Sequence, residues 1–250
     1  MKRVVLILAA LLAFSSAHAA GLVSDISERQ IEIRYSFAGA DLLLFGAIKA
    51  PEADDPDAEL DIAVVVRGPD LPTVVRRKER VAGIWVNTDS MLFVNAPGYY
   101  AVASTRPVSE LAGRDILEAN EIGFDHLQLA ITQRATPEEN NVFRQALVRN
   151  KLRDGLYSSS VGGVQIREAA LFRTDVILPA NVPVGDYRAE VYLFKDGALL
   201  SRHSSEINVD KSGFERWVYT FAQEYSALYG LTAVLIALIS GWIAGTVARH

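Results

Sequence analysis

From Ser226 to Ala248 the chain carries no charged side chain, and Leu, Ile, Val, Ala and Gly fill most of the stretch. Coiled as a helix rising about 1.5 Å per residue, it reaches across a hydrocarbon core about 30 Å thick. A buried helix of a water-soluble fold would normally show a polar face, whereas Thr232, Ser240 and Thr246 are scattered around this one. The expectation is a single transmembrane helix over 226–248, with 249–250 as a short tail. Before it lies a juxtamembrane segment, 211–225, in which Trp217, Tyr219, Phe221 and Tyr225, followed by Tyr229 in the first turns of the helix, suit a headgroup interface.

The other end of the chain fixes the expected orientation. Lys2 and Arg3 precede an apolar run from Val4 to Phe14, and Ala17-His18-Ala19 offers a small-x-small cleavage pattern. That run is too short to span a bilayer, so residues 1–19 read as a secretory signal peptide. Export places 20–210 outside, the second apolar segment halts transfer, and Arg249 stays inside, as the positive-inside rule prefers. The expected location is the bacterial inner membrane, single-pass, with a periplasmic domain and a cytoplasmic C-terminus.

Loss of Lys2 and Arg3 with the leader takes the formal charge from −5 to −7, which disfavours nucleic acid as a partner. The chain has no cysteine, so disulfides, thiolate catalysis and thiolate metal sites are excluded. His126, His203 and His250 have no zinc spacing, and Met91 is the one methionine left after cleavage. Neither a Gly-x-Ser-x-Gly elbow nor a Gly-x-x-x-x-Gly-Lys loop occurs. The sequence assigns no catalytic, cofactor-binding or metal-binding residue, and no enzyme activity.

The exported region reads mainly as β. Gln30–Phe37 alternates, with Ile31, Ile33, Tyr35 and Phe37 on one face. Further strand-like runs lie at 41–49, 60–67, 73–80, 83–87, 91–94 and 99–105. The stretch of about 107–154 is helix-like: Thr136 is a candidate cap, Pro137 suits the first helical position, and Glu138 and Glu139 favour the positive end of the dipole. That helix should reach Arg153 with Val142, Phe143, Ala146 and Leu147 as its apolar stripe, packed on the sheet. Strands resume at 156–160, 164–168 and 171–178, then 186–194 and 198–209 around the hairpin signal Lys195-Asp196-Gly197. His203 shares strand parity with Leu199, Ile207 and Val209. Pro179–Tyr187 is similar to the tyrosine corner between late strands of immunoglobulin-like sandwiches, and Asn95–Tyr99 has a related form. The expected fold is an immunoglobulin-like antiparallel β-sandwich with a helical insertion, plus the C-terminal transmembrane helix.

Three constellations carry functional readings. Glu52, Asp54, Asp55, Asp57, Glu59 and Asp61 form an acidic run without EF-hand spacing, better read as a solvated loop than as a cation site. Arg76, Arg77, Lys78 and Arg80 suit either an anion or lipid phosphates, or the charged face of an edge strand that discourages further pairing. Ala233, Ala237, Gly241 and Gly245 recur every four residues and so line one helical face, where small side chains let another backbone approach.

Several segments carry a family resemblance: Gly83-Ile84-Trp85-Val86-Asn87, Ala96 to Val102, Leu171-Phe172-Arg173, Leu178 to Tyr187, and Lys211 to Arg216. On these the chain resembles a family of alphaproteobacterial transmembrane proteins with a signal peptide, a periplasmic region and one C-terminal helix. The resemblance implies no activity or cofactor. It implies as partner an integral membrane protein, a sulfite-exporter-type permease. The leading expectation is an accessory protein whose small-residue helix packs against a polytopic membrane partner, or against a second copy of itself. The alternative is a tethered binding module for a small ligand or an envelope component.

Overall fold

A computed structural model describes residues 21–33, 39–49, 60–167, 171–211 and 214–247. The expected signal peptide and acidic residues 52–59 therefore lie outside the described residues. The fold is mainly β, built from two sheets that share one apolar core. The first has four strands in the order β1 (Gly21–Ile26), β3 (Gly39–Lys49), β10 (Leu171–Pro179), β9 (Gln165–Arg167). The second has six, in the order β2 (Gln30–Ile33), β12 (Ala198–Lys211), β11 (Gly185–Lys195), β4 (Leu60–Arg67), β7 (Tyr100–Ser104), β8 (Tyr157–Val161).

Alternation fixes which side chains meet. Leu42, Leu44 and Ile48 of β3, with Phe172, Val176 and Leu178 of β10, face Val64, Val66, Val191 and Leu193 of the six-stranded sheet. Each such side chain, fully buried, stabilises by roughly 1.5–3 kcal/mol. Residues from both halves of the sequence meet in this one core. Strand β4 reads as an unbroken apolar run because both its faces are covered: Ile62, Val64 and Val66 turn to the first sheet, Ala63 and Val65 to the helical insertion.

Several expectations are corrected. The sheets are not wholly antiparallel, since β2 runs parallel to β12 and β8 parallel to β7. The strand β1 has no counterpart among the expected strands. The chain leaves it for the second sheet at Ser27–Arg29, where the Ser27 amide donates to the Leu43 carbonyl at 2.9 Å and the Asn208 amide to that of Arg29 at 2.9 Å. In the expected strand 30–37 only 30–33 are described, as β2. The runs 83–87 and 91–94 are one strand, β6 (Ile84–Pro97), paired with β5 (Asp70–Val81) as a separate long hairpin. A bulge between Leu193 and Phe194 breaks the parity expected for β12: His203 lies opposite Val191 on the sandwich side, but Leu199 pairs with Phe194 and joins the opposite face.

The insertion between β7 and β8 holds α1 (Val108–Leu111), α2 (Arg114–Ala119), a 3-10 turn at Phe124–His126, and α3 (Pro137–Arg153). Leu111, Leu117, Ile122 and Leu127 form a second core on the outer face of the six-stranded sheet, over Tyr100, Val102 and Phe194. Helix α3 packs on the base of the β5–β6 hairpin, with Phe143 and Leu147 against Val75, Met91 and Phe93, and its Val148 joins the second core on the six-stranded sheet. Val142, expected in that stripe, is 52% exposed. The first turn is capped as expected: the Thr136 hydroxyl accepts from the Glu139 amide at 3.2 Å, and the Glu139 carboxylate accepts from the Thr136 amide at 3.0 Å.

The chain ends in α4 (Phe214–Glu224) and α5 (Ser226–Val247). Among the described residues no helix is long and apolar enough to cross a membrane. The transmembrane helix expected over 226–248 is thus corrected to a 22-residue helix, Ser226–Val247, whose crossing of a bilayer is not shown.

Candidate functional site

The C-terminal helices hold the expected interfacial anchors and the small-residue face. Tyr225 is a bend between them, yet hydrogen bonding runs through it: its amide donates to the Phe221 carbonyl at 3.0 Å, and the Tyr229 amide to the Tyr225 carbonyl at 2.9 Å. Phe221, Tyr225 and Tyr229 recur every four residues, which puts them on one face. Their rings lie 6.1 Å (Phe221–Tyr225) and 6.2 Å (Phe221–Tyr229) apart. Tyr219 is exposed, and the side chain of Trp217 lies outside the described residues.

In α5 every described side chain is exposed, on all sides of the helix. Leu228, Leu231, Val234, Leu235, Ile236, Leu238 and Ile239 are each at least half exposed. Ala233, Ala237, Gly241 and Gly245 share one face, and a Cβ built at Gly241 or Gly245 meets nothing within 4 Å. The Thr232 hydroxyl donates to the Leu228 carbonyl one turn back, at 2.8 Å. That bond satisfies a polar group which an apolar surrounding would otherwise leave unpaired.

A second candidate, missed in the sequence, is a cleft of about 830 Å³ between β4, β6 and the insertion, bordered by Arg67, Asn95, Glu118, Glu121, His126 and Arg144. Arg67 is bonded to Glu121, and to Asp70 at 2.9 Å. Burial opposes its charge, but the bond to Asp70 and the field of Glu121 outweigh that and hold its pKa up. Glu121 also accepts from the Gln128 amide at 2.7 Å. Glu118 is held by Arg114 at 2.6 Å, which lowers its pKa. Arg144 donates to the carbonyls of Phe124 at 3.0 Å and Asp125 at 2.6 Å, closing the 3-10 turn; burial lowers its pKa. Asn95 donates to the Gln128 carbonyl at 2.8 Å and accepts from the Ala130 amide at 2.7 Å, locking the loop to β6. Glu118 and Glu121 are thus each tied to an arginine, an arrangement that fixes loops. Among the described residues the buried Nδ1 of His126 has no hydrogen-bond partner. No spacing rule could have found the cleft, because its residues come from four separate stretches of chain.

A family model described as "Putative transmembrane protein (Alph_Pro_TM)" matches residues 21–250. This chain belongs to that family. No curated protein and no solved structure matches it. The Alph_Pro_TM match covers both the sandwich and the two C-terminal helices, so the exposed apolar helix α5 is part of what the family model recognises. Of the remaining sequence candidates, Asp61 alone of the acidic run is described: it is buried, accepts from the Thr105 hydroxyl at 2.8 Å, and pairs with Arg106. Among the described residues no cluster of three or more His, Asp or Glu is placed to hold a metal ion.

Proposed function

We propose that this Alph_Pro_TM protein is a single-pass inner-membrane protein whose immunoglobulin-like periplasmic sandwich works as an accessory to a polytopic membrane partner. The observation that carries the reading is the exposure of α5 on every side. Contiguous apolar surface of that kind marks a membrane or protein contact, and a helix apolar all round belongs in a bilayer or a core. Its backbone of 22 residues reaches about 33 Å, the thickness a span requires. The family match opens at residue 21, just beyond the expected signal-peptide cleavage after Ala19, in keeping with export of the sandwich. Phe221, Tyr225 and Tyr229 supply a ring cluster at the expected headgroup level.

Strand order supports the immunoglobulin-like part. The four-stranded sheet matches the A-B-E-D order, and the six-stranded sheet extends a G-F-C core at both ends, with β2 parallel to the last strand. The Tyr187 hydroxyl bonds to a carbonyl four residues upstream at the mouth of β11, as in a tyrosine corner.

The face Ala233, Ala237, Gly241 and Gly245 is where a partner helix would pack, a permease of the sulfite-exporter type being the class that family resemblance suggests. The test is solubilisation from membranes in mild detergent after an alkaline carbonate wash, comparing the native chain with Gly241→Leu and Gly245→Leu. The native chain should stay in the washed membrane and bring down a polytopic protein that both variants lose. Release of the native chain into the wash overturns the tether; equal recovery with the variants overturns the packing face. A tethered binding module is the second reading, favoured by the polar cleft beside Arg67.

A further inference from the structure

The hairpin formed by β5 and β6 outruns the core that supports it. Val75 and Met91 are the last cross-strand pair covered by α3, each 4% exposed. Beyond them no residue from Arg76 to Ser90 is buried. Six residues of strand at about 3.4 Å each project the arm about 20 Å past that pair. It ends in a two-residue turn, Ala82-Gly83, with φ of 49° and 90°. Two positive φ values are the mark of a type I′ turn, which keeps the strands paired to the very end. Val81 and Ile84 face each other across it, with Arg80 and Trp85 next. Exposure there is high for such side chains: 50% for Val81, 65% for Ile84 and 69% for Trp85.

Alternation along β5 puts Arg76, Lys78 and Arg80 on one face, and pairing with Arg80 puts Trp85 there too. Arg77 points to the other face, where Glu79 at 3.2 Å and Asp89 hold it. The result is a cationic collar behind an apolar tip, in a chain whose net charge is −5. Charges along an open hairpin are explained by the need to prevent edge-to-edge pairing. The tip is not, because three large apolar side chains at an open end invite the association that the charges discourage.

We infer that the β5–β6 tip is a lipid-binding element, seating Val81, Ile84 and Trp85 in the headgroup boundary of an anionic bilayer with Arg76, Lys78 and Arg80 against lipid phosphates. Trp settles at the boundary between hydrocarbon and headgroups, apolar neighbours gain by leaving water, and each cation near an anionic surface adds to the attraction. The element uses no part of α5 and stands apart from the tether.

The test uses the full chain in two single-tryptophan forms, Trp217→Phe with Trp242→Phe to leave Trp85, and Trp85→Phe with Trp217→Phe to leave Trp242. Each is reconstituted in vesicles of phosphatidylcholine, with or without phosphatidylglycerol, whose acyl chains carry bromine as a contact quencher. Trp85 fluorescence should be quenched in the phosphatidylglycerol vesicles and little in phosphatidylcholine alone. Neutralising Arg76, Lys78 and Arg80 to Gln should lower the ratio of docked to undocked arm by about a hundredfold, with sheet ellipticity unchanged. Trp242 quenched while Trp85 stays unquenched in phosphatidylglycerol overturns the lipid proposal and leaves the tether standing. The reverse pattern supports the hairpin and overturns the tether. Trp85 unquenched by lipid but shielded when membrane proteins are added also overturns the proposal, in favour of a protein contact.

Discussion

The Tyr187 hydroxyl donates to the carbonyl of Pro183, 2.5 Å away, while the Tyr187 ring lies 5.8 Å from that of Tyr99. Tyr99 in turn donates to the Ile177 carbonyl at 2.9 Å, so the pair joins the start of β11, the end of β6–β7 and the end of β10 at one corner of the sandwich. Tyr187→Phe leaves a carbonyl unpaired and should destabilise by roughly 1–3 kcal/mol. Tyr187→Ala also opens a cavity and should remove roughly 3–5 kcal/mol. Urea unfolding of the detergent-solubilised full chain, tracked by sheet ellipticity, reads both. Equal stability of Tyr187→Phe and the native chain would show that the hydroxyl carries nothing.

Burial raises the pKa of Tyr99, Tyr100, Tyr157, Tyr187 and Tyr192, whose hydroxyls serve the two cores. A tyrosine that ionises near pH 10 unfolded and higher when folded binds its proton more tightly in the native state. Its contribution is complete below pH 10 and is lost as the pH rises from there towards the folded value. Each such group removes about 1.4 kcal/mol per pH unit in that window, so five together should give a steep alkaline unfolding. Tyrosinate absorbance and loss of sheet ellipticity should then rise in one transition. Gradual tyrosinate formation with the sheet intact would count against the burial argument.

The pair Asp61–Arg106 should matter more than its place at a strand end suggests. Asp61 is 5% exposed, and its carboxylate is also held by Thr105, whose hydroxyl accepts from the Ile62 amide at 3.2 Å. Arg106→Ala strands a buried carboxylate and should cost about 2–4 kcal/mol, below a fully buried pair because the Arg106 side chain is 34% exposed. Asp61→Asn in the same background should recover part of that loss, which a double-mutant cycle measures. No coupling between the two would mean that the bond adds nothing.

Sequence made the fold legible where local rules act alone. The capping box at Thr136 and Glu139, the Asp196-Gly197 hairpin and the alternation of β10 each arise from a few neighbouring residues. What failed was anything set by distant partners. Val142 looked apolar enough for the α3 stripe, but α3 packs on the narrow β5–β6 hairpin, which covers Phe143, Ala146 and Leu147 and leaves Val142 exposed. Parity alone puts Leu199 on the face of Ile207, and one bulge opposite Phe194 reverses it. The Arg67 cleft was invisible because Arg67, Asn95, Glu121 and Arg144 meet only once four elements are in place. The four-residue spacing of Ala233, Ala237, Gly241 and Gly245 can be read without any partner to define it.

The capping box gives a narrower prediction. Thr136→Ala removes the acceptor of the Glu139 amide and should destabilise by about 1 kcal/mol. Thr136→Ser keeps that acceptor and should be close to neutral. Loss on urea unfolding of the same size in both would point to the methyl group rather than the cap.

Gly46 is the tightest seam in the first sheet. It sits on central strand β3 opposite Ser24 of β1 and Phe172 of β10. A Cβ there would fall 2.3 Å from the Val23 carbonyl oxygen and 2.6 Å from the Phe172 ring. A ring on its flexible side chain can give way, but the Val23 carbonyl is backbone held by ladder bonds. Gly46→Ala must therefore push β1 off β3, with an expected loss of about 1–3 kcal/mol or more from overpacking. Combining it with Phe172→Leu relieves only the ring contact, so the double variant should recover little. Amide exchange should place the damage in β1, with Leu22 and Ile26 losing protection before any residue of β12. If β1 stays protected and the stability is native, the strand contact at Gly46 is looser than the geometry requires.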